Sequence, residues 1–231
     1  MKSTKILFSA IIGVLATGAA NAQQSWTDWT SANIGAGTAA GSLTNVQGLA
    51  SVSVAYTGGL FDAVTTGGTN FWLPTATFSG GGVGNAPPAA DRLDIGIASS
   101  PGTHTITFGT ALTNPKLAIY SLGRPGVTTT WTFGQAFTIL SGGATSAFGG
   151  SAITSGGGNA LVGTEGNGTI QFTGTINTIT WTVGNAEDWT GFTVGAATLS
   201  PLSVGAPEPG TLALLSLGIV GGIMARRRQA K

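Results

Sequence analysis

The sequence predicts an all-β body, a two-sheet, jelly-roll-like β-sandwich, set between two apolar end segments. Three observations predict it: apolar and polar residues alternate at period two, Gly-rich turns separate short runs, and no stretch of the middle holds a helical period. The 231-residue chain divides into 1–22, 23–206 and 207–231.

The first segment reads as a signal peptide. Lys2 and Lys5 precede an apolar run from Ile6 to Ala16, and small residues then lead to Ala20-Asn21-Ala22, an A-x-A cleavage site. Cleavage is expected after Ala22, by signal peptidase after passage through the export machinery. The apolar core is too short to span a bilayer well, which suits a segment that is threaded and cut.

The middle is read as strands. Val52, Val54 and Tyr56 alternate with Ser51, Ser53 and Ala55; Leu93, Ile95 and Ile97 alternate with Asp94, Gly96 and Ala98; Ile106 and Phe108 alternate with Thr105 and Thr107. Val127, Trp131 and Phe133 share one face and Thr128, Thr130 and Thr132 the other. The same holds for Ile170 and Phe172 against Thr169, Gln171 and Thr173, and for Ile179, Trp181 and Val183 against Thr178, Thr180 and Thr182. Leu117 to Leu122 is more continuously apolar and predicts a central strand covered on both faces. Asn167-Gly168 predicts a tight hairpin joining 160–162 to 169–172. Gly80 to Pro88 and Ser141 to Gly158 read as flexible loops.

Composition narrows the partners. Charged residues are 7% of the chain, and the body from Gln23 to Ala206 carries three basic residues against seven acidic ones, a net −4. Such a body repels phosphate backbones, so no nucleic-acid partner is expected. There is no Cys, hence no disulfide and no thiolate metal site.

Little catalytic chemistry is legible. His104 is the one histidine, and without a second His or a Cys it makes neither a conventional zinc site nor a convincing triad, so a structural role is expected. The carboxylate pairs Asp91/Asp94 and Glu187/Asp188 could in principle flank a sugar, but both are read as solvated, with Asp94 on the polar side of its strand. Asp91 and Asp94 border the long Pro-Gly loop and are the calcium candidates. Gly81-Gly82-Val83-Gly84-Asn85-Ala86 begins like a calcium nonapeptide, yet Ala86 stands where Asp is needed. Trp131 and Trp181 are expected in the core. Trp29 beside Asp28 and Trp189 beside Asp188 are the carbohydrate-stacking candidates. No cofactor and no catalytic residue is expected.

The last segment has its own grammar. Pro207-Glu208-Pro209-Gly210-Thr211 leads into an apolar helix over about 209–225, followed by Arg226, Arg227 and Arg228. Pro209 suits a first helical turn, and the Arg cluster would hold its end on the cytoplasmic side. This order resembles the PEP-CTERM sorting signal, a segment also labelled an ice-binding-protein C-terminal domain, a label that describes the tail and not the body. The resemblance covers Ala206 to Lys231, with Ala206 standing where Val is common. It implies transient anchoring in the inner membrane of a Gram-negative bacterium. An exosortase-type membrane enzyme would then recognise Pro207-Glu208-Pro209 and pass the body to the cell surface or extracellular matrix.

The expectation is therefore an exported, non-catalytic envelope or matrix protein, acting in adhesion or in association with extracellular polysaccharide in a biofilm. A secreted carbohydrate-active enzyme, or an ice- or crystal-binding surface built on the Thr rows, is the alternative.

Overall fold

A computed structural model describes residues 22–96, 101–185 and 188–198. They form sixteen strands and one 3₁₀ turn, Thr75–Thr77. The strands are β1 (Gln24–Trp26), β2 (Asp28–Asn33), β3 (Thr38–Val46), β4 (Leu49–Thr57), β5 (Asp62–Val64), β6 (Arg92–Gly96), β7 (Thr103–Thr113) and β8 (Lys116–Leu122). They continue as β9 (Thr129–Phe133), β10 (Phe137–Gly142), β11 (Ser151–Ala152), β12 (Thr154–Gly157), β13 (Ala160–Gly163), β14 (Gly166–Phe172), β15 (Thr175–Val183) and β16 (Trp189–Ala197). Among the described residues no helix is long and apolar enough to cross a membrane. The two expected flanking helices lie outside the described residues.

One sheet runs β10-β14-β8-β16-β6-β5, with β1 added on β16 and β11 on β14; the other runs β12-β13-β9-β15-β7-β4-β3-β2. Pairing is antiparallel except between β11 and β14. At the centre, β6 pairs β16, β7 pairs β15, β8 pairs β14 and β9 pairs β13. That is one long ribbon of four rungs whose alternate rungs fall in opposite sheets, the jelly-roll arrangement. The β2–β4 meander widens one sheet and β10 the other.

The period-two residues meet between the sheets. Tyr56, Ile106, Phe108, Trp131, Ile179 and Trp181 from one sheet pack with Leu93, Leu117, Ile119, Ile170, Phe172 and Phe192 from the other. Trp131 and Trp181 stack with ring centroids 5.4 Å apart. Thr128 and Thr132 are exposed on the outer face, as their alternation with Trp131 and Phe133 predicts.

The other sheet departs from simple alternation because a second cover lies on its outer face. Trp26, Trp72, Phe78, Val83, Ala118 and Tyr120 form a separate buried cluster there, flanked by Phe71, Leu140, Phe148 and Trp189. The segment between β5 and β6 supplies Phe71, Trp72, Phe78 and Val83. Every residue of β8 is consequently buried, as its apolar run predicts, and so is every residue of β6. Thr169, expected to face water, is buried, and its hydroxyl donates to the Phe78 carbonyl at 2.9 Å.

Two turn expectations are corrected. Asn167-Gly168 is not a hairpin: β13 and β14 belong to opposite sheets, and both residues lie inside β14. Asn167 is buried and uses its side-chain oxygen to accept the Ser121 N–H at 2.8 Å, so the dipeptide marks a strand irregularity beside β8. The Gly80–Pro88 and Ser141–Gly158 runs are also more than loops. The first buries Val83 in the cover, and the second holds the end of β10, β11 and β12.

Candidate functional site

Asp94 is the largest departure from the sequence reading. Alternation along β6 points Leu93 and Ile95 into the main core, so Arg92 and Asp94 face the opposite way, under the aromatic cover. Asp94 is fully buried, accepting from the Tyr120 hydroxyl at 2.6 Å and from Arg92 Nε at 3.3 Å. The Arg92 guanidinium lies 4.6 Å from the centre of the Phe71 ring and also donates to the Thr69 carbonyl. Burial pushes Asp94 up to about 6, against the bonds from Tyr120 and the charge of Arg92, while Asp62 raises it further. Burial and the Asp94 charge raise the Tyr120 phenol in turn.

Asp91 is held elsewhere, at a positive φ of 67°, with Oδ1 accepting the Trp29 N–H at 3.1 Å. Burial raises its carboxyl, opposed by that bond and assisted by Asp28. The oxygens of Asp94 are thus committed to Tyr120 and Arg92, and one oxygen of Asp91 is committed to Trp29. Among the described residues no three His, Asp or Glu side chains gather as a metal ion would require.

The two stacking candidates separate. Trp29 has no exposed surface, and its indole N–H donates to Thr193 Oγ1 at 3.2 Å, so its ring packs in the core and is closed to a sugar. Trp189 is half-buried and lies edge-on to Phe71, Tyr120 and Phe148. With Phe148 it borders a cavity of about 110 Å³ that also touches Ser121, Arg124, Glu165 and Asp188. The polar groups there are paired: Ser121 donates to Glu165 at 2.5 Å, and Arg124 meets Asp188 at 2.7 Å across an exposed bridge. Glu187 lies outside the described residues.

His104 is structural, as its solitude suggests. It is buried, stacks on Trp181 at 5.2 Å, and its Nδ1 lies 2.7 Å from the Tyr56 hydroxyl. That hydroxyl donates to the Gly59 carbonyl at 2.8 Å, and a carbonyl can only accept, so Nδ1 carries the proton and donates to the Tyr56 oxygen. Both polar groups are satisfied inside the core.

The sequence signal missed Arg92, Tyr120 and Lys116. Arg92 and Lys116 are charged residues buried to 6% and 4% exposure, and nothing in period two marks a charge that a distant loop will cover.

The two ends of the body meet at one pole. The Thr198 N–H donates to the Gln23 carbonyl at 2.9 Å, and Gly84 N–H donates to the Ala22 carbonyl at 2.8 Å. Because β16 runs from Trp189 to Ala197, the Trp189 cavity sits at the opposite pole, roughly 27 Å away at about 3.4 Å per residue. Ala20, the Pro207-Glu208-Pro209-Gly210-Thr211 motif and Arg226, Arg227 and Arg228 lie outside the described residues.

Comparison with curated proteins and with solved structures gives no match. Residues 206–228, in contrast, match the family model of the PEP-CTERM protein-sorting motif, and the chain therefore carries a PEP-CTERM sorting signal on the C-terminal side of its β-sandwich.

Proposed function

We propose that this chain is a non-catalytic protein of the cell envelope or extracellular matrix, exported and then sorted through Pro207-Glu208-Pro209 by an exosortase-type membrane enzyme. The observation that carries the reading is the sorting motif over residues 206–228. The apolar run after it holds the protein in the inner membrane until processing, with Arg226, Arg227 and Arg228 on the cytoplasmic side. The released body serves adhesion or the polysaccharide matrix. The burial of Asp94 under Tyr120 and Arg92 supports the non-catalytic part, because the most strongly shifted carboxylate has no open cleft and no free oxygen.

Glu208 tests the sorting step. A plain anchor depends on apolar length and the Arg cluster, so Glu208→Ala would leave location and processing unchanged. A recognition signal depends on the charge between two prolines that keep the backbone extended. We expect Glu208→Ala to trap unprocessed protein in the inner membrane and deplete the released form. Cell fractionation with mass analysis of each C-terminus in a host that has the sorting enzyme checks this. Equal release of both proteins would leave simple anchoring as the better account.

A further inference from the structure

Four connections of the sandwich converge on the pole opposite the joined ends, where Trp189 opens β16. Arg124 lies between β8 and β9, Phe148 between β10 and β11, Glu165 between β13 and β14, and Asp188 between β15 and β16. Three of these connections cross from one sheet to the other, so residues distant in sequence are carried to one rim by strands anchored in both layers. With Ser121 and Trp189 they line the cavity of about 110 Å³.

Two kinds of surface meet in it. One is aromatic: Trp189 and Phe148 are half-buried, and Trp189 is held edge-on to Phe71, Tyr120 and Phe148 with ring centroids 5.6, 5.7 and 5.3 Å away, so its exposed part is fixed in place. The other is polar, with donors and acceptors together. Arg124 and Asp188 form a 2.7 Å pair whose side chains are 45% and 47% exposed, and Glu165 Oε1 accepts from the Ser121 hydroxyl at 2.5 Å. A carboxylate has more acceptor sites, and a guanidinium more N–H groups, than one such bond uses, and Glu165 Oε2 accepts from no described residue. Bonding capacity of both senses is therefore left over beside an apolar wall. Ser121 and Glu165 also both hold positive φ, 56° and 57°, a conformation unfavourable for a residue with a Cβ and kept where the surroundings hold a site in shape.

We propose that this cavity is a subsite for a neutral sugar residue of a polysaccharide. Vicinal hydroxyls each donate and accept, which suits carboxylates and a guanidinium set side by side, while the C–H groups of the sugar ring lie against Trp189 and Phe148. One cation and two carboxylates among the described residues leave the rim net negative, which disfavours a uronate or a phosphorylated sugar. Arg124, standing in the same rim, disfavours an ammonium. The inference rests on the polysaccharide role proposed for the body and not on how the chain is sorted.

The test is calorimetric titration of the purified full chain, in a detergent that contains no sugar, with the neutral trisaccharides of glucose, mannose and galactose. Trigalacturonate and the glucosamine trimer are the anionic and cationic counterparts. Asp188→Asn and Arg124→Ala change exposed side chains of the rim, and Thr138→Ala, exposed on β10, is the control. We expect saturable binding of a neutral trisaccharide, weaker by about tenfold or more for both charged trimers and for each rim variant, and unchanged for Thr138→Ala. Melting temperatures close to that of the parent verify that the rim variants are folded. Equal or tighter binding of either charged trimer overturns the site. So do rim variants that bind the neutral sugar as the parent does, in which case the body binds polysaccharide by another surface and the proposed role stands. No saturable binding of any neutral trisaccharide removes both the site and the polysaccharide half of that role, while release of the Glu208→Ala protein still decides the sorting step.

Discussion

Asp94 shows how one residue changes meaning when a loop covers it. Read along β6 it is the polar member of an alternating run; in the fold it is a buried carboxylate between Tyr120 and Arg92. Its folded pKa, about 6, lies above the value of about 3.9 for an unfolded chain, so between those limits the folded state binds the extra proton. Stability from this group is therefore greatest below pH 4 and falls as pH rises through 6, by about 3 kcal/mol in all. Other carboxylates act in the opposite direction, so the clean measurement is a difference. Chemical denaturation of the parent and of Asp94→Asn across pH 4 to 7 should show the parent losing stability with rising pH relative to the variant. Parallel curves would mean that Asp94 is not the titrating group. His104 behaves oppositely to Asp94: its role was legible because a lone histidine in an apolar register has few alternatives, and Tyr56 satisfies it in the core.

At the scale of elements, the segment between β5 and β6 decides the character of a whole sheet. Phe71, Trp72, Phe78 and Val83 are laid over the centre of the sheet, and its central strands β6, β8 and β16 are buried on both faces. Trp72 has no exposed surface and meets Phe78 and Tyr120 edge-on at 5.0 and 4.9 Å. Trp72→Ala should cost about 3–5 kcal/mol, the range for removing a large buried aromatic, measured by denaturant unfolding. A cost under about 1 kcal/mol would show that the segment does not hold the sheet. Gly191 is the complementary case. It stands between Asp94 and Tyr120 in the β-ladder, and a Cβ there would lie 1.9 Å from the Tyr120 ring. Tyr120 reaches Asp94 only by crossing over that bare backbone. Gly191→Ala should therefore displace the ring and destabilise the fold by about 1–3 kcal/mol, with altered near-ultraviolet dichroism from the cluster. An unchanged spectrum and midpoint would contradict the crossing.

For the whole molecule, the polarity of the sandwich matters most. Gln23 and Thr198 are joined by a hydrogen bond at one pole, so the first and last described residues of the body meet at the same end. The leader is expected to be cut after Ala22, leaving Gln23 first; N-terminal mass analysis of exported protein should find no trace of Lys2 or Lys5. The Trp189 cavity faces away from that pole. It keeps its carboxylates paired with Ser121 and Arg124.

The sequence by itself determined the all-β class, the core residues of β4, β7, β9 and β15, the doubly covered β8 and the sorting motif. Each of these is local: period two sets which face a side chain takes, and Pro-Glu-Pro followed by an apolar run and Arg residues is read in order along the chain. Only the tertiary structure decided that Asn167-Gly168 is no hairpin, that Trp29 is closed while Trp189 keeps an edge in solvent, and that Asp94 and Lys116 are buried. The physical reason is that strand alternation fixes two faces but does not say what covers the second one. That is settled by where the chain between β5 and β6 lies, through contacts between residues as distant as Phe78 and Thr169.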